Sequence, residues 1–320
     1  MSLPSNFVRI VEEGPREGFQ SEPATIATPA KIELIEALAY TGLREINCCS
    51  FTNQAQVPQM ADAEAVIRGL RRRPGVQYTG LWLNLKGFER AKASGVDLKA
   101  TLVTSASETF GLRNNKRNRA DLLDGQREIA TAYRAAGLDN ARGYVFTAFG
   151  CNYEGEIPAA QVIASVQDLL RVADDAGIRC EALYLCDTIG AATPRGVASA
   201  IDGVRNRWPD LELALHLHDT RGLGLANAQV GLQMGVRRFD ASVGGLGGCP
   251  FAGNRAAAGN VCTEDLVYLC AQEGFETGID LERLIECAHL AERIVGRTLP
   301  GKIKQAGAFK RRPSPAPVVA

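Results

Sequence analysis

The feature that most constrains this chain is a recurrence. Eight short runs rich in β-branched and other apolar residues, at 8–13, 44–51, 76–84, 99–105, 141–149, 181–187, 211–219 and 238–244, follow one another at intervals of roughly 25 to 40 residues. That interval is the size of a strand-plus-helix unit. Several runs are near-continuously apolar, the pattern of parallel strands buried on both faces. The segments between them read as helices. Thr28-Pro29-Ala30-Lys31 puts proline at the first helical position ahead of Ile32, Leu34, Ile35 and Leu38, and Gly42 stops that helix. Further helices are expected at 86–93, 120–136, 158–176, 193–207 and 224–234, most of them ending in a glycine (Gly95, Gly137, Gly177, Gly235). Eight β-then-α units predict an α/β fold, a (β/α)8 TIM barrel. An open doubly wound sheet is the alternative, but it needs a switch point and usually stops near six strands. The expected organisation is a barrel domain over 1–262, a C-terminal helical extension packed on it over 263–299, and a mobile tail over 300–320, where basic residues precede Pro313, Pro315 and Pro317.

Composition narrows the function. With 36 basic and 36 acidic side chains the formal charge is zero, which removes the electrostatic footprint of a dedicated nucleic-acid binder and of a polybasic membrane surface. No apolar run approaches the length of a membrane span, and residues 1–8 lack the layout of a secretory signal. The chain has nine cysteines, and most of them (Cys48, Cys49, Cys180, Cys186, Cys270, Cys287) sit inside apolar runs. They read as small buried thiols in a reducing compartment, so a cytoplasmic enzyme is expected.

In a TIM barrel the chemistry sits where strands end. The polar residues collect there: Glu12-Glu13-Gly14-Pro15-Arg16-Glu17-Gly18 after the first run, Cys186-Asp187-Thr188 after the sixth, His216-Leu217-His218-Asp219 in the seventh, and the glycine-rich 244–251 segment around Cys249 after the eighth. His216 and His218, two residues apart on a strand, project from one face, and paired imidazoles suit a divalent metal. A hydrogen-bonded polar pair is the bland alternative. His289 falls in a late helix and reads as structural. Glu17 offers a carboxylate to a hard cation, and Arg16 a fixed fork for a carboxylate, enolate or thioester oxygen; a surface ion pair in a turn is their bland alternative. Cys249, among glycines, reads as a proton donor or acceptor, or as a small packing residue. Asn254 and Asn260 each offer an amide oxygen, and Asp187 either orients a ligand or closes a turn. No P-loop and no dinucleotide fingerprint occurs.

Seven segments, G-P-R-E-G-F-Q, L-N-L-K-G-F-E at 83–89, G-C-N-Y-E-G at 150–155, C-D-T-I-G, H-L-H-D-T, G-G-L-G-G-C-P-F and G-N-V-C-T-E-D-L-V-Y at 259–268, stand in one order. Together they resemble the hydroxymethylglutaryl-CoA lyase family and, more widely, the metal-dependent barrel lyases and Claisen-condensing enzymes. The resemblance runs from residue 8 to 295. It implies retro-aldol cleavage of a tertiary 3-hydroxyacyl-CoA, assisted by Mg²⁺ or Mn²⁺, to a keto acid and an acyl-CoA. It further implies metal ligands Glu17, His216, His218 and Asn260, an enolate-stabilising Arg16, an acid/base Cys249, a CoA contact at Lys86, and a homodimer. Asp187 and Asn47 complete the expected site, the former catalytic and the latter facing substrate.

Three departures from the family pattern stand out. Glu17 replaces an aspartate, Asn47 replaces a glutamate of the second strand, and the segment from Cys249 to Asn260 is about two residues longer than in the pattern the chain resembles. A citramalyl-CoA lyase or a lyase for a larger 3-alkyl substrate therefore stays open. So do a condensing acyltransferase of the citramalate or isopropylmalate synthase type and a non-catalytic CoA-binding relative with an impaired metal site.

Overall fold

The computed structural model describes residues 4–248 and 257–309. Eight parallel strands form one curled sheet: β1 (Arg9–Glu12), β2 (Glu45–Ser50), β3 (Gln77–Leu81), β4 (Ala100–Ser105), β5 (Asn140–Phe146), β6 (Arg179–Cys186), β7 (Leu213–His216) and β8 (Arg238–Ala241). Their order is β3-β2-β1-β8-β7-β6-β5-β4, so β1 pairs with β8 and the sheet curls into a (β/α)8 barrel. Among the described residues β3 and β4 share no ladder, and the barrel has a seam there.

Each expected helix is present, and each presents an apolar stripe to the sheet. In Ala159–Asp175, Val162, Val166 and Leu169 are buried at helical spacing. Among the helices that escape the sequence reading, the longest are Ala63–Gly69 and Glu108–Asn115. Both are short, and the first announces itself only by Ala63, Val66 and Ile67 at one-turn spacing. Several strands stop earlier than their apolar runs. The run ending at 149 stops at Phe146, because Thr147 takes a left-handed φ of 55°. The run ending at 219 stops at His216, and His218 instead forms an isolated bridge with Asn260.

The segment expected as an appended extension is built into the ring of helices. Thr263–Gln272 packs beside Gly224–Gln233, and Leu281–Val295 inserts between Thr263–Gln272 and Thr28–Leu38. Residues 300–309 correct the expectation of a tail mobile from 300 onward. Asp265 accepts the backbone N–H groups of Lys302 and Ile303, and the buried Lys304 pairs with Glu292 at 2.7 Å. Residues 310–320 lie outside the described residues.

Alternation along the strands layers the lumen. At its N-terminal end Arg142 forks onto Glu45 through two 2.6 Å hydrogen bonds and reaches Glu181 at 2.9 Å. Arg238 bridges Glu181 and Glu212, each at 3.1 Å. This ionic layer closes the floor. The polar side chains at the opposite mouth form the site.

Candidate active site and metal centre

Glu12 and Glu13 are neighbours on an extended chain, so they face opposite ways. Glu12 points outward and ties the barrel rim together. Its carboxyl accepts from the backbone of Gly14 and Val243, each at 2.8 Å, and from the Thr263 hydroxyl at 2.7 Å. Glu13 points into the lumen. The backbone then makes one π-turn, Gly14–Gly18, in which Phe19 N–H reaches back to the Gly14 carbonyl. That turn swings Arg16 and Glu17 over the barrel mouth. Glycine is required where it packs: a Cβ on Gly18 would meet Leu246 at 2.7 Å, and Gly247 (φ +107°) already lies against Gly18.

Three donor atoms converge at the mouth. His216 Nε2 is 3.3 Å from His218 Nε2, and Glu17 Oε1 is 3.3 Å from His218 Nε2 and 3.7 Å from His216 Nε2. His216 is oriented from behind by Asp240, whose Oδ2 lies 3.1 Å from Nδ1. With Nδ1–H donated there, Nε2 faces the cluster, and a cation bound at the cluster would take the place of its proton. The carbonyl oxygen of the buried Asn260 has no hydrogen-bond partner among the described residues and sits in the strand bridge beside His218. Glu17, His216 and His218 thus form a cluster whose ligand atoms lie within 4.8 Å of one another, with an orphaned amide oxygen on the adjacent bridge.

The electrostatics fit a cation. Arg16 pairs with Glu13 through Nη2 and with Glu17 through Nη1, the latter at 2.9 Å. Glu13, Glu17 and Asp240 thus set three carboxyl groups around the Arg16 guanidinium and the His216 imidazole, an acid-rich mouth of the kind that draws a cation. Burial works to raise Glu17, but the charges of Arg16 and His216 override it and hold that carboxyl well below the usual range. Burial works to lower His216, and Glu17 and Asp240 overcome it to push the imidazole up to about 10. Glu13 is raised to about 7, burial outweighing Arg16.

The expected residues are sorted by this geometry. Glu17, His216, His218 and Asn260 come together. Asn47 lines the cavity, but its amide nitrogen is committed to Glu13, at 3.2 and 3.1 Å from the two carboxyl oxygens. Asp187 closes a turn, its Oδ1 accepting from Ala191 (2.7 Å) and Ala192 (3.0 Å); burial raises it against the charge of His218. Lys86 is exposed in the first turn of Leu85–Ser94, on the rim. His289 is a surface residue beside Glu292, outside the site. Cys249 and Asn254 lie outside the described residues. Glu13 and Asp240 were missed as site residues. Their signal was available only in part: both are acids at or just past the C-terminal end of a strand, whereas the inward acids Glu45 and Glu181 lie at the opposite end in the ionic floor.

Comparison with known proteins decides the family. The HMGL-like family model matches residues 7–291. The chain belongs to the HMGL-like family. The mitochondrial hydroxymethylglutaryl-CoA lyase of Bos taurus is 41% identical over 299 residues, 93% of this chain and 89% of that protein. The crystal structure of the Bacillus subtilis HMG-CoA lyase matches with a TM-score of 0.88 at 38% identity, over 96% of this chain and 99% of that one. An HMG-CoA lyase from Acinetobacter baumannii, in complex with coenzyme A and 3-methylmalate, matches with a TM-score of 0.86 at 37% identity, over 98% and 100%. This HMGL-like chain is a carbon–carbon lyase. Relatives are named both as mitochondrial and as cytoplasmic proteins, and among the described residues no helix is long and apolar enough to cross a membrane.

Proposed function

We propose that the chain cleaves 3-hydroxy-3-methylglutaryl-CoA, or a close tertiary 3-hydroxyacyl-CoA, between C2 and C3. One observation carries this reading: two imidazole Nε2 atoms and a carboxylate oxygen meet at 3.3–3.7 Å on the mouth of a cavity that Arg16 also lines. Glu17, His216, His218 and Asn260 would hold a divalent cation, which the resemblance to the lyase family makes Mg²⁺ or Mn²⁺. Such a cation supplies Lewis-acid polarisation of substrate oxygens.

The chain's own residues supply the rest. Glu13 lines the cavity and is held near neutrality, at about 7, so it can accept the C3 hydroxyl proton. The C3 oxygen becomes a carbonyl as the C2–C3 bond breaks, and the electron pair passes to the thioester enolate. Arg16 Nε is buried without an acceptor among the described residues and is the donor left for that enolate oxygen. Cys249, by resemblance, returns a proton to C2. Lys86 on the rim suits a CoA phosphate. We further propose a cytoplasmic homodimer; light scattering on the purified protein reads its mass.

The test is product analysis by mass spectrometry after incubation with 3-hydroxy-3-methylglutaryl-CoA and Mg²⁺ or Mn²⁺. Acetoacetate and acetyl-CoA are expected. His218→Ala should abolish both metal binding and turnover, while Cys249→Ser should lower turnover with metal still bound. Thiol release from acetyl-CoA plus 2-keto acids, without cleavage, would replace the lyase reading with a condensing one.

A further inference from the structure

A carboxyl group and an amide face each other from neighbouring strands of the barrel mouth. Glu12 pairs in register with Ile46, so the next residues along, Glu13 and Asn47, stand side by side, and both line the cavity. Asn47 Nδ2 donates toward both Glu13 oxygens, Oε1 at 3.2 Å and Oε2 at 3.1 Å. Arg16 donates through Nη2 to Oε2 alone. The two oxygens are therefore unlike. Oε2 is shared by an amide and a guanidinium, whereas among the described residues Oε1 meets only the amide and keeps lone pairs for a proton. A free glutamate samples many rotamers; donors from two elements, the π-turn and β2, hold this one. The contact also sets the direction of the amide, because turned over it would press Oδ1 against the carboxylate. Asn47 Oδ1 is buried with no partner among the described residues, so nothing on its other side fixes it.

Charge explains why the partner is an amide. An acid at 47 would set two carboxyl groups about 3 Å apart, where both cannot ionise together. A hydrocarbon there would leave Oε1 without a donor in a buried site. Asparagine supplies the N–H without the charge. In the family pattern it replaces a glutamate of the second strand, and the carboxylate stands instead one strand away.

We propose that the proton-accepting carboxylate of this chain stands on β1 rather than β2, with Glu13 Oε1 taking the C3 hydroxyl proton and Asn47 acting as its positioning residue. The proton passes to Oε1, the O–H electron pair becomes the C3 carbonyl bond, and the C2–C3 pair leaves to the enolate. The inference rests on the lyase reading above. It is tested on the metal-loaded enzyme, at saturating Mn²⁺, with 3-hydroxy-3-methylglutaryl-CoA. Glu13→Gln should lower kcat by roughly a hundredfold or more. Asn47→Leu should lower kcat roughly tenfold to a hundredfold with KM unchanged, since it removes a donor to the base and not to the substrate. If Asn47→Leu does not fold by circular dichroism, Asn47→Ala reads the same loss. The double variant Glu13→Gln with Asn47→Asp exchanges amide and carboxylate while keeping both shapes, and should recover kcat at least about tenfold over Glu13→Gln alone. A folded Asn47→Leu or Asn47→Ala with parental kcat, or with a raised KM alone, overturns the positioning role. Full turnover in Glu13→Gln, or no recovery in the double variant, overturns the placement of the base and leaves the lyase reading intact. Failure of the parent enzyme to cleave the thioester sinks the lyase reading, and this inference with it.

Discussion

Asp240 lies behind His216 rather than on the cavity wall, yet it should set the affinity of the metal centre. Its Oδ2 accepts from His216 Nδ1 at 3.1 Å, and its Oδ1 is buried with no partner among the described residues. Asp240→Asn keeps an acceptor but removes the charge. A hydrogen bond to a charged group contributes about 1.5–3 kcal/mol, against about 1 kcal/mol for a neutral one. The difference, about 1–1.5 kcal/mol, corresponds to roughly a tenfold loss of affinity. The new amide nitrogen also falls where Oδ1 now lacks a partner, so the loss should not be smaller. Asp240→Leu removes the acceptor, freeing the ring to turn or change tautomer, and should cost about a hundredfold, the upper range for groups that orient a metal-binding histidine. Competition between the protein and a chromophoric chelator for Mn²⁺, at fixed pH and salt, measures both variants, with His218→Ala as the non-binding reference. Thermal unfolding of each variant excludes a folding defect. If Asp240→Leu binds Mn²⁺ as tightly as the parent, the ring is set by something else and this reasoning is wrong.

Other outcomes follow from the same structure. Glu12→Ala strands three donors at the barrel rim, each costing about 1–3 kcal/mol, and should lower stability by about 3–5 kcal/mol in urea titrations; Glu12→Gln, which retains acceptors, should cost about 1 kcal/mol. Because burial raises Glu12 to about 8, above its unfolded value, the native state holds the extra proton between about 4.5 and 8. The stability it contributes is therefore present at low pH and lost as pH rises to 8, a slope that Glu12→Gln should flatten. Glu181 behaves oppositely: burial raises it, but Arg142 beside it brings the carboxyl down to about 2, so its contribution is present above about 4.5 and lost as pH falls toward 2. Acid unfolding should start at higher pH in Arg142→Met. Burial pushes the Cys48, Cys49, Cys186, Cys262, Cys270 and Cys287 thiols up, so iodoacetamide at pH 8 should leave all six unmodified in native protein and modify them after denaturation. Rapid native labelling of any of these would show that the barrel opens locally.

The sequence by itself determined the barrel and its direction, and it named four residues, Glu17, His216, His218 and Asn260, that the fold brings together. Eight apolar runs separated by capped helices leave few other ways to bury both faces of a parallel sheet. Local spacing put His216 and His218 on one face, and glycine stands at 247 where the backbone passes against Gly18. What local pattern could not carry was partnership across the lumen. Glu13 and Asn47 lie 34 residues apart, and His216 and Asp240 lie 24 apart. Each reads alone as an odd polar residue in a strand, and only closure of the sheet turns the pairs into a held carboxylate and an oriented ligand. The seam between β3 and β4 was equally invisible, because the absence of a ladder leaves no mark on either strand's residues. The tertiary structure alone decided where the lumen is filled by ions, where it is ready for a metal, and where it stays open.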